Sequence, residues 1–241
     1  MHRFYLPANQ CLGSTLTLSE REAHHAAQVL RVRSGDHVIV LDGAGHELHG
    51  KVQGVSRKAV SISVQQKKFT APPPFQITLL QGIPKGKIIE SIFQKATELG
   101  VARIVPILAE RVTMQLDEES AADKLDKWRL IAIEAIKQCG QTWLPQIDAP
   151  ITPKDFLTRG EKFDLPLVAG LQEDSHHPRN YFKKFFAEQK RKPQSVGIWV
   201  GPEGDFSPAE MTALKSAGAL PITLGRLVLR CETAAIYGFR F

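Results

Sequence analysis

The chain has 241 residues, room for one large domain or two smaller ones, and 43% of them are apolar, ample for a buried core. Its formal net charge of +6 favours a polyanionic partner. Cys11, Cys139 and Cys231, odd in number and far apart, argue against a disulfide frame or a zinc site and for reduced thiols in a cytoplasmic setting. No apolar run is long enough to span a membrane, and Met1-His2-Arg3 does not begin a signal peptide.

The first seventy or so residues read as mostly β. A short helix is predicted from Ser19, with Glu22 three positions on as a capping partner and Ala23, Ala26, Ala27 and Leu30 on one side. Strands are predicted over His37–Leu41 and Leu48–Val55, joined by a turn at Asp42-Gly43-Ala44-Gly45. A further strand over Ala59–Val64 alternates Val60, Ile62 and Val64. Short strands packed this densely suggest a small β-barrel. Ala71-Pro72-Pro73-Pro74 forces a stiff, extended segment and sets a boundary between residues 1–71 and 72–241.

After the prolines, strands alternate with helices, the mark of a parallel α/β sheet. Ile77–Leu80 is a strand; Ile88, Ile89, Ile92, Phe93, Ala96 and Leu99 then recur at helical spacing until Gly100. A strand over Ile104–Leu108 precedes a second helix marked by Leu125, Trp128, Ile131, Ala132, Ala135 and Cys139 and stopped by Gly140. Leu165–Leu171 is the next strand, and Tyr181, Phe182, Phe185 and Phe186 are read as core residues of a helix.

The last fifth carries the strongest signals. Val196–Val200 is an apolar strand ending in Gly201-Pro202-Glu203-Gly204, where the glycines permit close approaches and Pro202 stiffens the turn. Ser207 has the features of an N-cap, with Pro208 at the first helical position and Glu210 completing a capping box. The helix runs over Met211 and Leu214 to Gly218. Pro221–Leu224 forms a further strand, and Gly225 opens a second loop holding the apolar Leu227, Val228 and Leu229 before Arg230. Loops at the carboxyl ends of neighbouring strands share a crevice in open α/β sheets. An apolar loop there suits the wall of a pocket for a flat, partly apolar ligand such as adenosine.

Other chemistries fit less well. Gly82-Ile83-Pro84-Lys85-Gly86-Lys87-Ile88 lacks one residue of a phosphate loop and has Ile88 where a magnesium-binding hydroxyl belongs. His24-His25 and His176-His177 are adjacent pairs, not ligands one helical turn apart, and no metal site is expected. No G-x-S-x-G elbow occurs. The basic groups Arg57-Lys58, Lys67-Lys68, Lys183-Lys184 and Lys190-Arg191-Lys192 are solvated faces or phosphate contacts.

Gly201-Pro202-Glu203-Gly204 with Phe206-Ser207 and Glu210, followed by Leu224-Gly225, Leu229-Arg230 and Glu232-Thr233-Ala234, resembles the RsmE family. These are SPOUT-class methyltransferases of 16S ribosomal RNA that use S-adenosylmethionine. The resemblance covers nearly the whole chain. It extends from Arg3-Phe4-Tyr5 through His24, Val29-Leu30-Arg31 and Gly35-Asp36 to Lys95–Val101, Pro106, Glu110-Arg111, Gln138-Cys139-Gly140 and Pro145.

The resemblance implies a PUA-like, RNA-binding β-barrel followed by a SPOUT catalytic domain with a C-terminal trefoil knot, paired as a homodimer. It implies S-adenosylmethionine held by Leu171, by Gly201, Pro202, Glu203 and Gly204, and by Leu224, Gly225, Leu227 and Leu229. The implied substrate is N3 of one uridine in the decoding region of 16S rRNA, in the small ribosomal subunit. Loss of the N3 proton would be favoured by a cation, for which Arg3, Arg111 and Arg230 are candidates, and Glu98 and Glu232 are candidate acceptors. Gln141 and Trp143 stand where relatives carry arginine, and relatives extend further past Ala234. A SPOUT enzyme acting on another rRNA or tRNA nucleotide, or a non-catalytic RNA-binding assembly factor on the same fold, are the alternatives.

Overall fold

The computed structural model describes residues 1–56, 58–111, 118–170, 172 and 174–239, with residues 19 and 118–120 described by backbone alone. By packing, the chain divides into two units: Met1–Pro72 with Ile133–Leu144, and Pro73–Ala132 with Pro145–Phe241. The segment of residues 133–144 thus packs with the first unit, although it follows the prolines in sequence.

The first unit is a five-stranded sheet of β1 (His2–Tyr5), β2 (Thr15–Ser19), β3 (His37–Leu41), β4 (His46–Val55) and β5 (Ala59–Phe69), in the order β1-β3-β4-β5-β2. β1 runs parallel to β3, and the other pairs are antiparallel. Phe4, Leu16, Leu18, Val38, Val40, Leu48, Val60 and Ile62 fill one core together with Ala23 and Ala26. Each of the larger side chains contributes roughly 1.5–3 kcal/mol by leaving water. The predicted helix begins at Glu20 as α1 (Glu20–His24) and continues as a π-helical turn over His25–Val29.

β3 is buried on both faces because Ile39 and Leu41 pack against Ile136, near the end of α3 (Glu118–Cys139), with Tyr5 and Leu144 alongside. That explains its unbroken apolar sequence. The buried Lys137 ammonium is held by Glu22 at 2.7 Å and Glu134 at 3.2 Å. β5 continues past the predicted Val64 to Phe69, pairing its polar second half with His46–His49 of β4.

The second unit is a six-stranded sheet, parallel in every pair, in the order β11-β9-β10-β6-β7-β8. Its strands are β6 (Gln76–Gly82), β7 (Arg103–Ile107), β8 (Gln146–Ile147), β9 (Leu165–Ala169), β10 (Ser195–Val200) and β11 (Leu220–Ile222). The helices are α2 (Ile88–Glu98), the first part of α3, α4 (Pro153–Thr158), α5 (Pro178–Gln189), α6 (Pro208–Ser216) and α7 (Cys231–Tyr237). Strand alternation feeds two cores. Leu79, Leu165, Leu167, Val196 and Ile198 join Ile92, Phe93, Trp128 and Ala235 on one face. Leu80, Val168 and Trp199 join Phe156, Met211 and Leu214 on the other.

Four of the residues in the α2 stripe are buried, Ile89, Ile92, Phe93 and Ala96, while Leu99 is exposed at the helix end, where Gly100 adopts φ +81°. Phe186, expected in the core, is 54% exposed and lines an apolar cavity of about 520 Å³ with Phe75, Phe182 and Ile198. No helix among the described residues is long and apolar enough to cross a membrane.

Candidate functional site

Strands β11, β9 and β10 are adjacent, so the loops leaving their carboxyl ends converge. Ala169-Gly170 at the end of β9, Gly201-Pro202-Glu203 after β10, and Thr223-Leu224-Gly225 with Leu227-Val228-Leu229-Arg230 after β11 line one pocket of about 470 Å³. Cys231, Glu232 and Ala234 from α7 and Ile88 at the start of α2 complete it. Its volume lies within the range of small-molecule sites, and its position is the one where open parallel sheets bind ligands.

The first turn is tightly built. Its close is an Asp205 N–H donating to the Pro202 carbonyl at 2.9 Å, with Asp205 itself at φ +58° and its carboxylate accepting the Phe206 N–H at 2.8 Å. A Cβ on residue 201 would meet Oδ1 of Asp205 and press on the backbone at its Cα, so glycine suits this cradle. The turn is then anchored by α6, whose capping box has the Ser207 hydroxyl accepting the Glu210 N–H and the Glu210 carboxylate accepting the Ser207 N–H. Glu203 reaches across to accept the Lys85 N–H at 3.1 and 3.2 Å.

The second loop turns on Thr223, whose hydroxyl donates to the Gly225 carbonyl at 2.9 Å and accepts the Gly225 N–H at 3.3 Å. Gly225 takes φ +136°, a conformation closed to other residues. Leu227 and Val228 follow, 76% and 77% exposed. Both side chains border the pocket and give it an exposed apolar edge.

Of the residues expected to hold the cofactor, Gly201, Pro202, Glu203, Leu224, Gly225, Leu227 and Leu229 come together in this lining, and Arg230 joins them. Gly204 does not line the pocket; its carbonyl accepts the Arg111 guanidinium at 2.6 Å. Leu171 lies outside the described residues. Arg3 belongs to the first unit, where its guanidinium donates to the Lys137 and Gln138 carbonyls at 3.4 and 3.2 Å and so caps the end of α3. Glu98 is exposed on α2 and accepts from Gln94 at 3.0 Å.

Arg230 stands at the N-cap of α7 and is exposed. Its neighbouring carboxylates are engaged elsewhere, Glu203 with Lys85 and Glu232 with the Cys231 thiol at 3.4 Å, and Arg230 has no ion-pair partner among the described residues. Burial, reinforced by the bond to Glu232, pushes the Cys231 thiol up to about 12. It is therefore an apolar wall and not a nucleophile.

The sequence reading missed Gly170, Thr223 and Asp205. Gly170 had a legible signal, a glycine directly after a strand, as at Gly201. No group of His, Cys, Asp or Glu that could hold a metal occurs among the described residues.

Comparison with known proteins agrees with this geometry. An RNA methyltransferase domain matches residues 71–240, and an RNA methyltransferase PUA domain matches residues 18–65. Ribosomal RNA small subunit methyltransferase E of Bacillus subtilis is 30% identical over 224 residues, covering 92% of this chain and 87% of that protein. A Legionella pneumophila protein solved in complex with bound SAM superimposes with a TM-score of 0.89 at 33% identity, over 98% of this chain and 94% of that one. Ribosomal RNA small subunit methyltransferase E from Neisseria gonorrhoeae, bound to S-adenosyl methionine, gives 0.85 at 27% identity, over 99% and 95%. The fold, the pocket at the strand ends and these matches lead to one conclusion: the chain belongs to the RsmE family of RNA methyltransferases.

Proposed function

We propose that this protein is an S-adenosylmethionine-dependent methyltransferase of small-subunit ribosomal RNA, acting on N3 of a uridine in the 16S decoding region. The observation that carries the reading is the convergence of the Gly201 and Gly225 turns in one pocket walled by Leu224, Leu227 and Leu229. A glycine cradle and an apolar wall fit a nucleoside-bearing cofactor, with backbone groups to fix its orientation.

When bound in this pocket, S-adenosylmethionine would supply an electrophilic methyl group to the substrate nitrogen. The protein's own task is alignment and charge. The two turns fix the direction of approach, which supplies much of the rate of an in-line displacement. Leu227 and Leu229 give that approach an apolar wall. Arg230, a cation with no ion-pair partner among the described residues, lowers the cost of the uracil anion, and the departing N3 proton passes to Glu232 in the same lining.

The trefoil knot is part of the proposal. Its support is the strand order, in which β11 lies beyond β9 while α7, the element that follows it, packs on α2 and β10. So is a homodimer through the second unit, supported by the exposed Phe75 and Phe186 beside the apolar cavity. A ribosomal substrate goes with a cytoplasmic setting.

Mass-spectrometric mapping of modified nucleosides in 16S rRNA, from cells with and without the gene, tests the activity. Loss of one N3-methyluridine on deletion is expected; an unchanged modification map overturns the reading. Sedimentation should give about twice 26.7 kDa.

A further inference from the structure

The first unit carries an aromatic cluster that serves no core. Phe69, the last residue of β5, is 59% exposed. His46 stands opposite it in the strand register, ring centroids 5.0 Å apart, and Trp143 meets it edge-on at 6.2 Å. The rings are held from behind. The Trp143 indole N–H donates to the Thr70 carbonyl at 2.9 Å, and His46 Nδ1 pairs with the buried Asp42 carboxylate at 2.7 Å. The other Asp42 oxygen accepts the Ala44 and His46 N–H groups at 2.8 and 2.9 Å. Gly45 lies beneath: a Cβ there would come within 2.6 Å of Trp143 and 2.8 Å of Phe69.

Such fixing of rings is costly to arrange for a side chain that stays in water, unless the exposed face has a use. Lys67 and Lys68, the two residues before Phe69, are exposed and have no ion-pair partner among the described residues, although Glu47 is the cross-strand neighbour of Lys68. Strand alternation puts Lys67 on the side of Phe69 and Lys68 on the other. An anchored π-face with the Lys67 ammonium on the same side matches an unpaired nucleotide, with the base on the ring and its phosphate by that lysine.

We propose that Phe69, supported by Trp143 and His46, is a stacking platform for a single-stranded segment of the RNA substrate, with Lys67 as its phosphate contact. The proposal rests on RNA being the substrate class.

Trp128 and Trp199 are 3% and 2% exposed, so quenching of tryptophan emission on titration reports Trp143. A short uridine-rich single-stranded RNA should quench it. An abasic RNA of the same length should quench far less. Phe69→Ala should weaken binding roughly tenfold, Phe69→Leu should do the same, and Phe69→Trp should restore it, with S-adenosylmethionine affinity unchanged throughout. Equal binding by Phe69→Ala and wild type, or by abasic and intact RNA, overturns the platform. Methyl transfer to small-subunit RNA by the wild type is measured alongside. Quenching without methyl transfer overturns the proposed substrate and leaves the platform; methyl transfer with binding insensitive to Phe69 overturns the platform alone.

Discussion

The Cβ that Gly201 lacks would lie 2.7 Å from Oδ1 of Asp205 and 3.0 Å from its Cα. The side-chain oxygen could rotate away, but the backbone at Asp205 would have to give by a few tenths of an ångström, so a larger residue displaces the turn there. Since Asp205 closes that turn onto Pro202, the shift falls on the pocket wall.

Gly201→Ala should therefore weaken S-adenosylmethionine binding by at least about tenfold, and Gly201→Val should abolish it, with far-UV circular dichroism near wild type. Calorimetric titration checks this. Unchanged affinity would make the loop a simple connector between strand and helix.

Arg230→Ala removes an unpaired cation and breaks no internal bond among the described residues. Turnover should fall on the order of a hundredfold, as when one donor to a developing anion is lost. Cofactor affinity and melting temperature should hardly change. A variant that loses stability but turns over normally when folded would assign Arg230 a structural role.

Asp164 accepts both arms of Arg191 at 2.7 and 2.8 Å, and this pairing holds its carboxyl down at about 2. The ordinary value is near 3.9, so its contribution is complete above about pH 4 and disappears as the pH falls towards 2. Asp164→Asn should lose about 1 kcal/mol at neutral pH, a figure kept small by the half-exposed Arg191, and should flatten that acid limb. Urea unfolding at several pH values gives the slope; an unaltered limb would show that other carboxylates set it.

Thiol labelling is predicted to be selective. Burial pushes Cys11 up to about 11 and Cys231 up to about 12, whereas Cys139 is exposed. Native protein at mildly alkaline pH should take up iodoacetamide at Cys139 alone, and unfolded protein at all three cysteines. Labelling of Cys231 in the native state would mean that the pocket opens far more widely than its structure shows.

The parallel sheet, both glycine turns and the Ser207–Glu210 cap were legible because each has a local signature. Turn glycines, a capping box and short apolar strands act over a few residues. The platform was not legible, because Phe69 ends a strand half made of Gln65, Gln66, Lys67 and Lys68, which shows no apolar alternation. Its partners come from distant segments, Asp42–His46 and Trp143, and no sequence pattern records that meeting. Arg3 shows the same limit: as a cation in a family motif it suggested catalysis, yet its partners are the carbonyls of Lys137 and Gln138. Helix α3 is the clearest case. Trp128 and Ile136 belong to one apolar stripe, but Trp128 enters the second unit's core while Ile136 covers β3 in the first. Periodicity identifies a buried face without naming what buries it.

That division of α3 makes the polypeptide pass between the units at Pro72, again within the helix at Ile133 and again after Leu144. No single scission can yield either unit whole. A chain beginning at Pro73 would keep Ile136 without Ile39 and Leu41, and would leave the buried Lys137 ammonium with Glu134 but without Glu22, its nearer partner. The two units are therefore not interchangeable cassettes. Recombination that swaps the first unit between relatives would have to carry residues 133–144 along with the N-terminal strands.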